Sequence, residues 1–167
     1  GADNRLAAGT YTVGSGGDYA TLAAVRQALM SQGIAGAVVF KILSGTYTES
    51  IALGVVYGSS ATNTITFQSA AANADSVIWD QPNSNQAINM LVLNGTDHVT
   101  IKHITFKNQT SSYSRKIVLT GAVDSVTIDS SKFLGYQSSS DNHASIYGFG
   151  AVATGLKIRN NTFTDGG

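Results

Sequence analysis

Apolar and polar residues alternate in three short stretches near the C-terminal end of the chain. The stretches are 99–107 (VTIKHITFK), 126–134 (VTIDSSKFL) and 156–164 (LKIRNNTFT). Each contains an isoleucine at an apolar position of the alternation and, five residues later, a phenylalanine: Ile101 and Phe106, Ile128 and Phe133, Ile158 and Phe163. Alternation at period two predicts half-buried strands, and its return after 27 and then 30 residues predicts a repeat architecture. The pattern therefore predicts an all-β fold, a β-solenoid.

The length of the repeat predicts how each coil is built. A 27-residue coil of mostly extended chain has a contour of roughly 90 Å at about 3.3 Å per residue, which fits three short strands with corners. Stacked coils would pair equivalent strands in parallel and enclose the apolar column. A leucine-rich repeat would need leucines at its own spacing, and an antiparallel sandwich would not require a constant interval.

The N-terminal part of the chain predicts a cap for the solenoid. Leu22 and Val25 fall at helical spacing within a predicted helix over 19–32, with Asp18 as its N-cap and Gly33 as its stop. A single amphipathic helix ahead of repeating strands would cover the open end of the core. The alternative is a helix packed on the face of a sheet.

We predict a single domain over residues 1–167. A strand and the capping helix occupy 10–36, and the coils occupy 37–167, with earlier strands predicted at 37–43, 47–53, 64–68, 77–79 and 88–93. The chain starts without methionine and ends directly after the third repeat, so we expect an N-terminal piece of a longer protein. An uncovered last coil would invite end-to-end self-association.

Composition narrows the classes of function. Ten basic and ten acidic residues cancel and only 12% of residues are charged, which does not favour nucleic acid as a partner. No membrane-spanning stretch is visible, so membrane insertion is not expected. The absence of cysteine excludes a disulfide framework, a thiol nucleophile and a cysteine metal site. His98, His103 and His143 lack the spacing of metal ligands, and no metal or cofactor is expected.

The stretches GTYTVGSGGDYATLAAVRQAL and VVFKILSGTYTESIAL support a family resemblance. They resemble the N-terminal cap and first coil of right-handed parallel β-helix proteins of the pectin-lyase-like group, above all pectin methylesterases and bacterial secreted β-helix proteins. The later ITFKNQTSSYSRKIVL and VTIDSSKFLGYQ are similar to the two central segments of the esterases. The resemblance implies a right-handed parallel β-helix in a secreted or cell-surface protein, of bacterial origin.

The catalytic residues of the esterases do not carry over to this chain. Lys116 stands where the esterase pattern has a glutamine, and Ser138 follows Tyr136-Gln137 where the pattern has its catalytic acid. Ester hydrolysis of this kind needs two carboxylates, one as nucleophile and one as acid and base. We therefore assign no catalytic residue.

Charged residues form one candidate site. Lys102, Asp129 and Arg159 follow the inward isoleucine on successive repeats, and Lys132 lies nearby. One interpretation is a cleft for acidic sugars with a basic residue as the proton acceptor of a lyase. The other is a salt bridge ladder that fixes the register of the coils.

Aromatic residues form the second candidate site. Trp79, Tyr113, Tyr136 and Tyr147 are predicted in or beside outward loops or at the end of a strand. Exposed on a rigid face they could stack on sugar rings; otherwise they cover loop bases and corners. The expected partner is a polysaccharide or a cell-surface glycan.

Two functions follow as expectations. The first is a non-catalytic β-helix module of a secreted or cell-surface protein, acting as a scaffold, adhesion or glycan-binding unit. The alternative is the N-terminal part of a carbohydrate-active enzyme, a polysaccharide lyase, pectinesterase or glycosidase, whose active site lies in coils beyond Gly167.

Overall fold

The chain folds as a parallel β-solenoid of about five turns. The computed structural model describes residues 3–81, 88–108, 114–135 and 143–165. Those residues contain fifteen strands in three parallel sheets and one α-helix. The predicted all-β solenoid with one N-terminal helix is confirmed.

Each coil passes through the three sheets in the same order. The six-stranded sheet holds β1 (Gly9–Val13), β2 (Val38–Ile42), β5 (Ile65–Ser69), β8 (Val99–Lys102), β11 (Thr127–Asp129) and β14 (Lys157–Arg159). The five-stranded sheet holds β3 (Gly45–Tyr47), β6 (Val77–Asp80), β9 (Thr105–Lys107), β12 (Lys132–Gly135) and β15 (Thr162–Asp165). The four-stranded sheet holds β4 (Ile51–Leu53), β7 (Asn89–Asn94), β10 (Arg115–Asp124) and β13 (Ile146–Thr154).

The register of the sheets confirms the alignment of the repeats. Ile128 pairs with both Ile101 and Ile158, and Phe133 pairs with both Phe106 and Phe163. Parallel pairing stacks identical side chains inside the solenoid. The repeat read from the sequence is therefore the repeat of the coil.

Each repeat is two strands rather than one, which corrects the sequence prediction. A corner separates the strands, and it begins at His103, Ser130 and Asn160 on successive coils, with φ angles of 56°, 49° and 58°. A positive φ takes the chain out of the extended conformation and turns it from one sheet to the next. The predicted strand over 47–53 is likewise divided into β3 and β4.

A column of rings fills the interior beside the five-stranded sheet. The ring centroids of Trp79 and Phe106 are 5.3 Å apart, those of Phe106 and Phe133 are 5.2 Å apart, and those of Phe133 and Phe163 are 5.0 Å apart. These distances are close to the spacing of neighbouring strands, about 4.8 Å, because each ring lies directly above the last. Aromatic stacking thus follows from the repeat.

The helix α1 spans Leu22–Gln32, so it begins three residues later than predicted. Its N-cap is Thr21, whose Oγ1 accepts a hydrogen bond from the amide of Ala24 at 3.1 Å. Asp18 is not the cap, since its carboxylate accepts the amide of Thr12 at 2.8 Å. Gly33 ends the helix as predicted, with a φ of 71°.

The helix covers the free edge of the four-stranded sheet at the start of the solenoid. Arg26 Nε donates to the carbonyl of Ala52 on β4 at 3.1 Å, and the side chains of Leu22 and Val25 are fully buried in the core. Both oxygens of the Glu49 carboxylate accept amides of the first helical turn, from Leu22 at 3.0 Å and Ala23 at 2.8 Å. Hydrogen bonds and apolar contacts therefore dock the cap on the first coil.

Candidate functional site

The outward side of the four-stranded sheet is chemically unlike the other outward surfaces. Ile117 and Leu119 point into the core, so Val118 and Thr120 point out. Up to the last two residues of β10 and β13, where Asp124 and Thr154 also point out, the outward residues of the four strands are Ala52, Val92, Asn94, Val118, Thr120, Ala122, Tyr147, Phe149 and Val152. We call these nine residues the four-stranded face. None of them carries a charge at neutral pH.

The face ends in an aromatic pair on the last coil. Phe149 is 66% exposed and Tyr147, two residues earlier on β13, is partly exposed. The guanidinium carbon of Arg115, on β10, lies 4.3 Å from the centre of the Tyr147 ring. A cation over an aromatic face is attracted by the ring electrons, which restrains the orientation of both side chains. Among the predicted glycan contacts, Tyr147 lies partly exposed on an outward surface.

Charged side chains lie at the margins of the four-stranded face. Arg115 and Asp124 are the first and last residues of β10, and Arg26 reaches Ala52 from the capping helix. The outward positions between them supply only aliphatic, aromatic, hydroxyl and amide side chains, since the one lysine of β10, Lys116, is buried. Within the face Phe149 and Val152 are 66% and 69% exposed, whereas Val118 is 4% exposed. An exposed apolar patch with polar margins is typical of a binding site.

The predicted charged column exists on the six-stranded sheet. Asp129 is in register with Lys102 on one side and Arg159 on the other. Arg159 Nε lies 3.0 Å from Asp129 Oδ2, and among the residues that the structure describes no ion pair includes Lys102. A hydrogen bond from Ser130 Oγ, and then the Arg159 contact, hold the pKa of Asp129 below its ordinary value. The column is a single salt bridge between adjacent coils.

Lys132 does not belong to that column, which corrects the sequence prediction. It lies on β12, in the five-stranded sheet, in register with Thr105 and Thr162. Its Nζ lies 2.6 Å from Asp75 Oδ1, an ion pair between partly exposed groups. Lys132 therefore joins β12 to the 3₁₀ turn Ala74–Ser76 that precedes β6.

Trp79 is not an exposed aromatic residue, and its assignment as a glycan contact is wrong. Its side chain is 1% exposed, it stacks on Phe106, and its Nε1 donates to the carbonyl of Glu49 at 2.6 Å. The register places Trp79 in the same interior column as Phe106. Tyr113 and Tyr136, with most of the polar segments that were expected to loop outward around them, lie outside the described residues.

Lys116 is an unusual residue that the sequence analysis did not select as a site. It lies on β10 between Arg115 and Ile117, which pair with Asn89 and Leu91, so it stands directly above the buried Met90. The residue is 1% exposed and has no ion pair among the described residues. Burial lowers the pKa of its ammonium from 10.5 to about 8. An alignment of RKIVL on NMLVL would have revealed a lysine at a core position.

A concave surface lies at the capped end. It is an open groove of about 420 Å³ whose lining includes Ser15, Thr21, Ser44, Thr46 and Glu49. The Glu49 carboxylate is already bound to two helix amides, so it is not available as an acid or base. The side chains that line the groove therefore offer hydroxyl groups, and their one carboxylate is already engaged.

The described ranges contain neither a candidate metal site nor a membrane-spanning helix. Within them no three histidine, aspartate or glutamate side chains lie close enough together to hold a metal ion. No helix in those ranges has the length and apolar character needed to cross a bilayer.

Comparisons with protein-family models, with curated proteins and with solved structures found no match to this chain. The fold by itself defines the class of protein, a parallel β-solenoid with an N-terminal helical cap.

Proposed function

We propose that this chain is a non-catalytic glycan-binding module of a secreted or cell-surface protein, and that the four-stranded face is its binding surface. The observation that carries the proposal is the pair Tyr147 and Phe149 on an uncharged outward surface of a rigid sheet. Aromatic rings with exposed apolar faces suit the C–H faces of sugar rings. A solenoid holds such rings at fixed spacing, which reduces the entropy lost on binding.

The resemblance of the cap and first coil to the pectin-lyase-like group supports the extracellular assignment and a carbohydrate partner. We propose kinship with that group at the level of the superfamily. The same proposal includes a bacterial origin, a role in adhesion and a right-handed turn of the solenoid.

The four-stranded face is tested by a glycan array combined with point variants. We expect binding by the wild type, a loss of about tenfold or more for Phe149→Ala, and a smaller loss for Tyr147→Ala. Tyr57→Ala is the matched control, because Tyr57 is 73% exposed but lies outside the face. An array without any bound glycan, or equal losses for all three variants, would contradict the proposal.

The carbohydrate-active enzyme is the second candidate function, and Lys116 is the observation that favours it. A lysine with a pKa of about 8 could accept a proton near neutral pH. Its burial argues against the role, because a proton acceptor must reach the substrate within hydrogen-bond distance.

Incubation with pectin, polygalacturonate and alginate separates the two functions. A binding module leaves these polymers unchanged. Release of unsaturated ends or of methanol, lost in Lys116→Met, would establish the enzyme instead.

A further inference from the structure

Charge is distributed unequally over the three outward surfaces of the solenoid. The outward positions of the six-stranded sheet include Lys41, Lys102, Asp129 and Arg159, all in one register column. The five-stranded sheet carries Asp80, Lys107 and Lys132. The four-stranded face has no charged member, and the charges nearest to it, Arg115, Asp124 and Arg26, lie at its margins.

This distribution bears on the charge of the ligand. A polyanion is attracted to surfaces that carry cations, and on this molecule those are the other two sheets. A carboxylate on the four-stranded face could approach one cation, Arg115 beside Tyr147. At Phe149 and Val152 it would lose water without gaining an ion pair, which is unfavourable. A neutral sugar loses little, because its hydroxyl groups stay hydrated at the edge while its C–H face stacks.

The aromatic pair also indicates how a chain of sugars would lie. Tyr147 and Phe149 are two residues apart on β13, about 6.6 Å at the rise of a strand. They point to the same side, and Val152 continues that side towards the end of the strand. A polysaccharide would therefore run along β13, across the solenoid axis.

We propose, resting on the proposed function, that the four-stranded face selects neutral polysaccharides over uronic-acid polymers, with successive sugar rings on Tyr147 and Phe149. Arg115 restrains the Tyr147 ring from the neighbouring coil.

The experiment compares hexasaccharides of equal length by titration calorimetry with the whole chain. The neutral set is cellohexaose, xylohexaose, mannohexaose and chitohexaose; the acidic set is hexagalacturonate and an alginate hexamer. Each is measured at 50 mM and 500 mM NaCl, with Phe149→Ala and the control Tyr57→Ala. We expect at least one neutral hexamer to bind about tenfold or more tightly than either acidic one. That affinity should change less than twofold with salt, because stacking is not screened.

The outcomes separate this inference from the proposed function. Tighter binding of an acidic hexamer that is weakened by salt and by Phe149→Ala would overturn the neutral preference while leaving the glycan-binding face intact. Acidic binding that is lost in Lys102→Gln but not in Phe149→Ala would place the site on the six-stranded sheet and overturn both. Absence of binding to every hexamer and to the array would also overturn both.

Discussion

Lys116 is the residue whose chemistry departs furthest from its surroundings. Met90 occupies the equivalent position in the coil below. A Cβ atom added to Gly135 would lie 3.7 Å from the Nζ of Lys116. Buried ammonium groups without a counter-charge destabilise the folded state, because water solvates them far better. The fold tolerates this destabilisation in the coil that contains β10.

Replacing Lys116 with methionine should stabilise the protein by about 1–3 kcal/mol at pH 7. The folded pKa of about 8 lies below the ordinary value of 10.5, so the penalty is fully present below pH 8. Between about pH 8 and 10.5 the unfolded state binds more protons than the folded state, so the stability of the wild type rises with pH. The advantage of the variant should shrink over that window.

Urea unfolding at several pH values measures this difference directly. Lys102→Met is the control, since Lys102 lies on the outside of the six-stranded sheet and is not deeply buried. A Lys116→Met variant less stable than the wild type at pH 7 would show that the ammonium has a favourable partner.

Phe133 tests the interior column of rings. The residue is fully buried between Phe106 and Phe163, so Phe133→Ala leaves a cavity and should cost about 3–5 kcal/mol. Phe149→Ala is the matched control and should change stability by less than about 0.5 kcal/mol, because Phe149 is largely exposed. Denaturant unfolding compares the two variants, and similar losses would overturn the assignment of inward and outward positions.

At the scale of the elements, the cap depends on a residue from the following coil. Glu49 is the only glutamate in the chain, and it satisfies two amides that the first turn of α1 leaves without partners. A carboxylate at a helix N-terminus also interacts favourably with the helix dipole. The docking of α1 is therefore partly electrostatic.

Replacement of Glu49 with alanine should destabilise the protein by about 1–2 kcal/mol, and replacement with glutamine by less, since one acceptor oxygen remains. In Glu49→Ala, hydrogen exchange of the amides of Leu22 and Ala23 should be faster than in the wild type, whereas exchange of the strand amides in β5 should change less. Equal exchange in the wild type and Glu49→Ala would show that the apolar face alone holds the helix.

At the scale of the whole molecule, the two ends of the solenoid differ. At one end the helix packs on β4, while at the other β13, β14 and β15 are the end strands of the three sheets in the last described coil. There Ile158 is 45% exposed and Phe163 is 53% exposed, whereas their partners one coil earlier are fully buried. The nine residues of β13 contain no charge and no proline, the features that usually protect an edge strand.

We predict that this chain self-associates through that end. A contact between two such ends uses the same surface on both copies, so it closes as a dimer rather than a fibre. Sedimentation velocity should show a concentration-dependent dimer that Ile158→Lys abolishes and that Val55→Lys, at a residue 77% exposed elsewhere, leaves unchanged. A monomer over the whole concentration range would contradict the prediction.

Much of the fold was predictable from local pattern. Alternation decides which side chains of a strand face the core, and recurrence of Ile101 and Phe106 after a nearly constant interval decides which strands stack. The charged column followed from the same alignment, and its Arg159–Asp129 ion pair is present. Alignment of Trp79 with Phe106 would have placed the indole inside as well.

The sequence by itself determined the repeat, the parallel solenoid and the helical cap, because period and spacing act along the chain and need no knowledge of distant contacts. Only the tertiary structure decided where each coil turns a corner, since His103, Ser130 and Asn160 carry no shared side-chain signal for a positive φ. It also decided that Lys116 is buried and that the outward side chains of four separate strands form one uncharged face. Burial and surface chemistry depend on coils that lie far apart in sequence, and stacking alone brings them together.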